Sequence, residues 1–403
     1  MTAPLDGIKV LELARVLAGP WAGQILSDLG ADVIKVERPG QGDETRTWGP
    51  PYVEGKQGEN LSAAYYHAIN RGKRSVLADF TKPDDIAFVL ALVKEADVII
   101  ENYKVGDLKK YGLDYQSVKK INPAVVYCSV TGFGQNGPYA SRPGYDLIIQ
   151  AMGGIMDITG EPDREPMRTG VAYVDVFTGC YSAIGIQAAL LARTRTGEGQ
   201  YIDMSLLDVQ TSVLANQALN YLVSGKAPRR MGNAHPNVVP YQAFETSDGY
   251  MIIAVGNDGQ FRNFCDVLGL PEVRDDPRYA SNGKRNENRA TLIPALMEKT
   301  RQRTRADLLA ALEKGGVPAG PIRSIDEVFA DPQVIARKMR IDLPDDSAKA
   351  GSIPGVRADR DERNTAALRS SVAASRRAFG RGPRRREGGE AGISRKPRLI
   401  ASR

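Results

Sequence analysis

Histidine is almost missing from this 403-residue chain: only His67 and His235 occur, and neither has a cysteine or a second histidine nearby. That disfavours Cys/His zinc sites and Ser-His-Asp chemistry, and no metal is expected. Cysteine is scarce too. Cys128, Cys180 and Cys265 lie in apolar surroundings without ligand spacing, so they read as reduced core residues and exclude a disulfide framework. No uninterrupted apolar run reaches the ~18–20 residues of a membrane span, and no basic segment followed by a hydrophobic stretch opens the chain. A cytoplasmic protein with no membrane partner is expected. What is present, 42% hydrophobic and 25% charged residues, suits a folded chain of two or three domains.

The net charge of +6 points to nucleic acid only until it is located. Residues 357–403 carry 14 Lys/Arg against 5 Asp/Glu, and the rest of the chain 40 against 43, so the body is nearly neutral. The tail has no aromatic residue besides Phe379, which leaves no base-stacking platform, and nucleic acid is not an expected partner. Its Arg/Ala/Ser/Gly composition cannot bury a core and predicts disorder.

Along the body, Ile8–Leu13, Asp32–Glu37, Ser75–Phe80, Asp97–Glu101 and Ala124–Val130 read as strands, with helices at Pro20–Leu29 and Pro83–Glu95 between them. The alternation predicts a doubly wound parallel sheet with helices on both faces. A helix follows within Gly144–Gly154, another covers Gly179–Leu191, Gln200–Leu207 is a further strand, and Val209–Val223 a helix. The Gly/Pro/Asn-rich stretch 224–240 marks a boundary. Beyond it, a hairpin around Ser247-Asp248-Gly249 and helices at Asn286–Thr300 and Thr304–Lys314 predict a smaller α+β domain. The expected division is a large domain over 1–224, a small one over 225–330, a return linker over 331–356 and the basic tail over 357–403.

A sheet of this kind binds its ligand beyond the carboxyl ends of its strands. The segments there are Ala14–Ala18, Arg38-Pro39-Gly40, Thr81-Lys82, Asn102-Tyr103-Lys104 and Thr131–Pro138. A nicotinamide enzyme with Glu37 as its ribose acid is one reading, but no G-x-G-x-x-G follows the first strand, so no nicotinamide is expected. The chemically unusual residue is Asp175, a carboxylate at the head of a small-residue apolar helix. At a helix start it can cap orphan N–H groups, or remain ionised while shielded from water and serve as a nucleophile.

The stretches Gly30-Ala-Asp-Val-Ile-Lys-Val-Glu-Arg-Pro-Gly40, Arg71-Gly-Lys-Arg-Ser75, Ala96-Asp-Val-Ile-Ile-Glu-Asn102, Ser129-Val-Thr-Gly-Phe-Gly134, Thr196-Gly-Glu-Gly-Gln200 and Asn233-Ala-His-Pro236 come in characteristic order and spacing. In them the chain resembles the family III CoA-transferases, the CaiB/BaiF group, from about Leu5 to Pro354. The resemblance implies a Rossmann-like CoA-binding large domain and a small domain in a homodimer of interlocked rings. It implies CoA, as acyl-CoA, and a small carboxylic acid as substrates, without metal. It also implies an aspartate nucleophile that falls on Asp175, forming an aspartyl-CoA thioester. CoA-binding positions fall on Leu17, Ala18, Arg38, Ala78, Thr81, Asn102, Tyr103, Lys104, Lys110, Arg142 and Tyr145, and a substrate-covering glycine loop on Gly256, Asn257, Asp258, Gly259 and Gln260. Arg46, Arg71, Arg142 and Arg168 are candidates to grip a second carboxylate, as on a dicarboxylate such as succinate. A related branch, the alpha-methylacyl-CoA racemases, uses a histidine in a Gly-His-Asp motif. Here the motif reads Gly144-Tyr145-Asp146, and a tyrosine with pKa near ~10 is a poor base, which favours transfer over racemisation. A catalytically idle CoA-binding relative is the third reading.

Overall fold

A computed structural model of the chain describes residues 3–357 and 399–400. Its contacts divide the described residues into two compact units, each discontinuous in sequence: residues 3–154, 169–219, 335–357 and 399–400 form one, and residues 155–168 and 220–334 the other. The segment 155–168, placed within 1–224 from sequence, thus belongs to the second unit. There the Gly232 N–H donates to the Gly160 carbonyl at 3.0 Å, and Arg230 pairs with Asp157 at 3.2 Å.

The first unit is built on β1 (Lys9–Glu12), α1 (Ala18–Asp28), β2 (Asp32–Glu37), β3 (Arg74–Leu77), α2 (Pro83–Glu95), β4 (Val98–Glu101), β5 (Val126–Thr131), α3 (Asp146–Met152), α4 (Tyr173–Thr196) and β6 (Tyr201–Ser205). The six strands are parallel, in the order β3-β2-β1-β4-β5-β6. Alternate strand residues face opposite layers. Val10, Val98, Ile100 and Cys128 join one core with α1 and α4; Leu11, Ile99 and Tyr127 join the other with α2. Burial of each such aliphatic side chain contributes ~1.5–3 kcal/mol. Helix α2 carries its own start and stop signals, Pro83 in its first turn with Asp84 and Asp85, and Lys94 in its last.

Helix α4 buries Val174, Thr178, Gly179, Ser182, Ala183, Ile186, Ala189 and Leu190. Small residues let α1 come close: a Cβ on Gly179 would lie 2.8 Å from the Ala18 carbonyl oxygen and from Trp21 Cβ. By length and average hydropathy α4 could cross a membrane, although Ser182 and Gln187 interrupt its apolar run; 44% of that stretch is buried inside the protein. The helix expected over Val209–Val223 is two helices, Leu206–Ser212 and Ala215–Ser224, broken where Ala215 takes φ 47°. The expected return linker carries a hairpin of Arg340–Pro344 with Ser352–Val356. Of the tail, residues 358–398 and 401–403 lie outside the described residues, while Leu399–Ile400 pairs antiparallel with β3 at the sheet edge, contrary to the expected disorder there.

The second unit holds an antiparallel hairpin, β7 (Tyr241–Thr246) and β8 (Gly249–Ala254), helix α5 (Asp258–Leu268) and a third strand, β9 (Ala319–Pro321), beside β8. Phe244, Met251, Ile253, Phe261, Phe264, Leu292, Leu296, Leu308 and Leu312 form its core. Arg285 is 1% exposed, donates to the carbonyls of Val239 and Tyr279 at 2.7 and 3.1 Å, and pairs with Asp258 at 2.8 Å.

Candidate active site

Strand order reverses between β1 and β4, so the loops leaving their carboxyl ends part and open a crevice. A cavity of about 190 Å³ sits there. Residues 15–18 after β1, 102–105 after β4, 130–132 at the end of β5, and 140–145 line it together with Glu44, Leu206 and Asp175. It is smaller than the ~300–1,000 Å³ that swallow a drug-sized ligand. Two of the lining loops touch backbone to backbone: a Cβ on Gly132 would lie 2.5 Å from the Gly144 Cα.

Beneath the β1 loop lies a buried ion network that includes Lys35, Glu37 and Lys73. Lys35 pairs with Glu12 at 3.0 Å and with Asp43 at 2.9 Å, and Lys73 pairs with Glu12 at 2.8 Å, all essentially without solvent. Burial alone would lower Lys35, and the carboxylates of Glu12 and Asp43 raise it above its ordinary value instead. Gly23 of α1 makes room, since a Cβ there would lie 1.8 Å from Glu12 Oε2. Glu37 accepts from Arg46 Nε and Nη2 at 2.7 Å each, from Ser75 at 2.6 Å and from the Asp43 N–H at 2.8 Å. Burial opposes its charge, but Arg46 brings its pKa down to about 2. Glu37 is therefore fully used and cannot serve a ribose, which closes the nicotinamide reading. Arg46 also stacks on Tyr66, 3.8 Å from the ring centroid.

Asp175 stands apart. It occupies the first turn of α4, yet the cap is supplied by Asp146, whose Oδ1 accepts the N–H groups of Val174 and Asp175 at 2.9 and 3.3 Å. Among the described residues, no protein donor bonds the Asp175 carboxylate. Burial first, and then the negative Asp146, raise its pKa to about 7. The expectation of a carboxylate held ionised by the helix start is corrected accordingly. The Tyr65 phenol feels both aspartates: burial, then Asp175 and Asp146, push it up to about 12. Sequence reasoning missed Tyr65 and Asp146. For Asp146 a signal was present, as it completes Gly144-Tyr145-Asp146; Tyr65 had none.

Leu17, Ala18, Asn102, Tyr103, Lys104, Arg142 and Tyr145 all line the cavity with Asp175. Asn102 is spent on the protein, however: Oδ1 accepts the Arg15 N–H at 2.9 Å and Nδ2 donates to the Arg15 carbonyl at 2.6 Å. The Tyr103 ring lies under Arg15, at 5.2 Å, and stacks on Phe80. Arg142 covers Phe133 and Tyr139, with no carboxylate partner among the described residues. Arg38, Ala78 and Thr81 lie outside the cavity but follow β2 and β3 on the same carboxyl edge of the sheet. There the Ala78 N–H goes to the Glu37 carbonyl at 3.0 Å and Thr81 Oγ1 to Asp79 at 2.7 Å, so neither of these groups is held out for a phosphate. Lys110 is exposed beside the Tyr111 ring. Of the other arginines weighed for a second carboxylate, Arg46 is clamped by Glu37 and Arg71 by Asp28, and Arg168 belongs to the second unit.

The glycine loop proves to be a helix start. Asn257 caps α5 by accepting the Gln260 N–H at 2.9 Å, Gln260 Oε1 accepts the Gly256 N–H at 2.8 Å, Asp258 is held by Arg285, and Gly259 is already helical. His235 is likewise occupied, its Nδ1 facing the N–H groups of Asn237 and Val238 at 3.0 Å each. Among the described residues no cluster of metal-ligating side chains occurs.

Fold and crevice together define an α/β protein with a cavity, lined by Asp175, at the switch point of its sheet. The model of "CoA-transferase family III" matches residues 5–371, and the chain belongs to that family. It is 59% identical over 355 residues to the succinate–glutarate CoA-transferase of Agrobacterium fabrum, covering 88% of each chain. It is 43% identical to the human succinyl-CoA:glutarate CoA-transferase, covering 87% of this chain and 79% of that one. The crystal structure of a CaiB/BaiF family protein from Brucella suis superposes with a TM-score of 0.79 at 57% identity, covering 92% of this chain and 100% of that one. The protein is thus a CoA-transferase that moves CoA from an acyl-CoA to a carboxylic acid, and the racemase reading is not favoured.

Proposed function

We propose that the protein exchanges CoA between dicarboxylic acids of the succinate and glutarate kind, with Asp175 as nucleophile. The observation that carries this reading is Asp175 itself, the one carboxylate in the cavity lining besides Glu44 and, unlike Glu44, left without a protein partner. Its oxygen attacks the thioester carbonyl of the donor; the C–S bond breaks, CoA leaves as thiolate, and a mixed anhydride remains. The thiolate attacks the Asp175 carbonyl, expelling the donor carboxylate and leaving an aspartyl-CoA thioester. The acceptor carboxylate attacks that thioester, again releasing thiolate, and the thiolate then takes the acceptor acyl group and frees Asp175. One thioester is consumed and one is formed overall, so no ATP is consumed, and the narrow crevice protects the more reactive anhydride from water. Arg142, in the same lining, suits the acceptor's second carboxylate. Names of the relatives support the acid class.

The α4 face opposite the core shows Phe177, Tyr181, Ile184 and Leu191 to solvent at helical spacing, with Ile184 62% and Leu191 63% exposed. That supports a second copy over this face, in the interlocked dimer that the family resemblance implies. Free thiols at Cys128, Cys180 and Cys265 fit the reducing cytoplasm. With succinyl-CoA and glutarate, formation of glutaryl-CoA is expected, and borohydride added during turnover is expected to mark Asp175 in a mass spectrum of its peptide. An unmarked Asp175 in a chain that still exchanges CoA would end the proposal. Light scattering should give the mass of two chains; a monomer overturns the dimer.

A further inference from the structure

We propose that Asp43 and Asn102 are positioning residues for CoA transfer, holding the turn Arg15-Val16-Leu17 in the strained shape that walls the cavity beside Asp175. The proposal rests on the reading of Asp175 as the nucleophile. Val16 sits at φ 67°, a left-handed conformation that a β-branched residue keeps only where its surroundings over-determine it.

Those surroundings are present, and they come from side chains outside the turn. Asp43 Oδ2 accepts the Val16 N–H at 3.3 Å, while Lys35 holds the Asp43 carboxylate at 2.9 Å and donates to the Ala14 carbonyl at 2.8 Å. Asn102 holds Arg15 through both its N–H and its carbonyl. Asp43 is 1% exposed, so it acts on the turn and not on a ligand. On its far side the turn meets α4, where the Ala18 carbonyl leaves no room for a Cβ on Gly179, one helical turn beyond Asp175. A displaced turn therefore moves the wall next to the nucleophile. Leu17 and Ala18 have no polar side-chain atom, so placement of their main chain and apolar surface is all that they contribute to the reaction.

Asp43→Asn keeps the shape and an acceptor oxygen but loses the charge that Lys35 holds. Asn102→Asp keeps the acceptor for the Arg15 N–H and loses the donor to its carbonyl. Each is expected to lower kcat about tenfold or more, with KM for succinyl-CoA changed by less than about twofold, and to reduce the borohydride-marked fraction of Asp175. Adding Val16→Gly, which takes the left-handed shape without strain, is expected to return most of the kcat lost in Asp43→Asn. If Asp43→Asn does not fold, Asn102→Asp carries the test alone. Wild-type kcat in the folded variants, a loss expressed only in KM, or no rescue by Val16→Gly overturns the positioning role. A wild-type chain that exchanges CoA with Asp175 unmarked overturns the reading beneath it instead.

Discussion

Two sets of charge, one buried and one half-buried, lie in the same unit and behave oppositely. Around Glu12, Lys35, Asp43, Glu37 and Arg46 each charge has a partner at 2.7–3.0 Å; at Lys35, Asp43, Glu37 and Arg46 the pairing outweighs burial, while at neighbouring Lys73 burial wins and lowers the ammonium to about 8. At Asp175 there is burial, a neighbouring negative charge and no donor, and the proton is held to about pH 7. Partnered charge makes a scaffold; a carboxylate kept without partners retains the free energy to bond with something else.

The comparison breaks most visibly if its lone member is neutralised. Asp175→Asn is expected to cut CoA exchange by roughly 10³-fold or more while raising stability at pH 8 by about 1 kcal/mol. The sign follows from a folded pKa of about 7 above the ordinary 3.8: the unfolded chain gives up this proton first, so stability falls as pH rises from about 4 to 7 and stays at the lower level above 7, and the cost disappears at low pH, where both states hold the proton. Urea melts of the two proteins at pH 8 and pH 4 check this. The paired set should respond in the opposite sense. Lys35→Met leaves Glu12 and Asp43 facing each other without their shared cation and is expected to cost about 3–5 kcal/mol of stability. Titration sharpens the contrast without mutation: kcat/KM for succinyl-CoA should fall about tenfold per unit below pH ~7. The smallest effect is expected from Arg46→Lys, about 1–2 kcal/mol, because a lysine cannot bond both Glu37 oxygens and stack on Tyr66. Glu37 has a depressed pKa of about 2, so that pair's contribution is present above pH 4.5 and lost as pH falls toward 2.

Elements with local signals were legible in the sequence. Asp32–Glu37 and Pro83–Glu95 have the expected limits, one a β-branched run and the other bracketed by Pro83 and Lys94. Placement of Leu17, Ala18 and Tyr103 at one crevice was legible as well, because parallel strands deliver their following loops to one edge, whereas Arg142 and Asp175 were brought to it only by the family resemblance. What residue types could not show was partnership. Lys35 and Lys73 look like surface lysines until strands 21 to 61 residues distant bring Glu12 and Ala14 to them. Asn102 has the chemistry to bind a ligand, and only tertiary structure reveals that Arg15 has taken both ends of its amide. The Leu399–Ile400 strand depends on an open sheet edge at β3, a feature no local pattern in an arginine-rich tail encodes.

Gly132 and Gly144 meet so closely that neither tolerates even a methyl group. One precedes Phe133, on which Arg142 rests; the other precedes Tyr145 and the capping Asp146. An alanine at either glycine would act as a wedge, driving apart Arg142 and Asp146, the brace of α4, in a single movement. Under the proposed mechanism specificity and reactivity share one pivot, and a lineage that retunes the first by rebuilding residues 140–145 must carry that pair of hydrogens through unchanged.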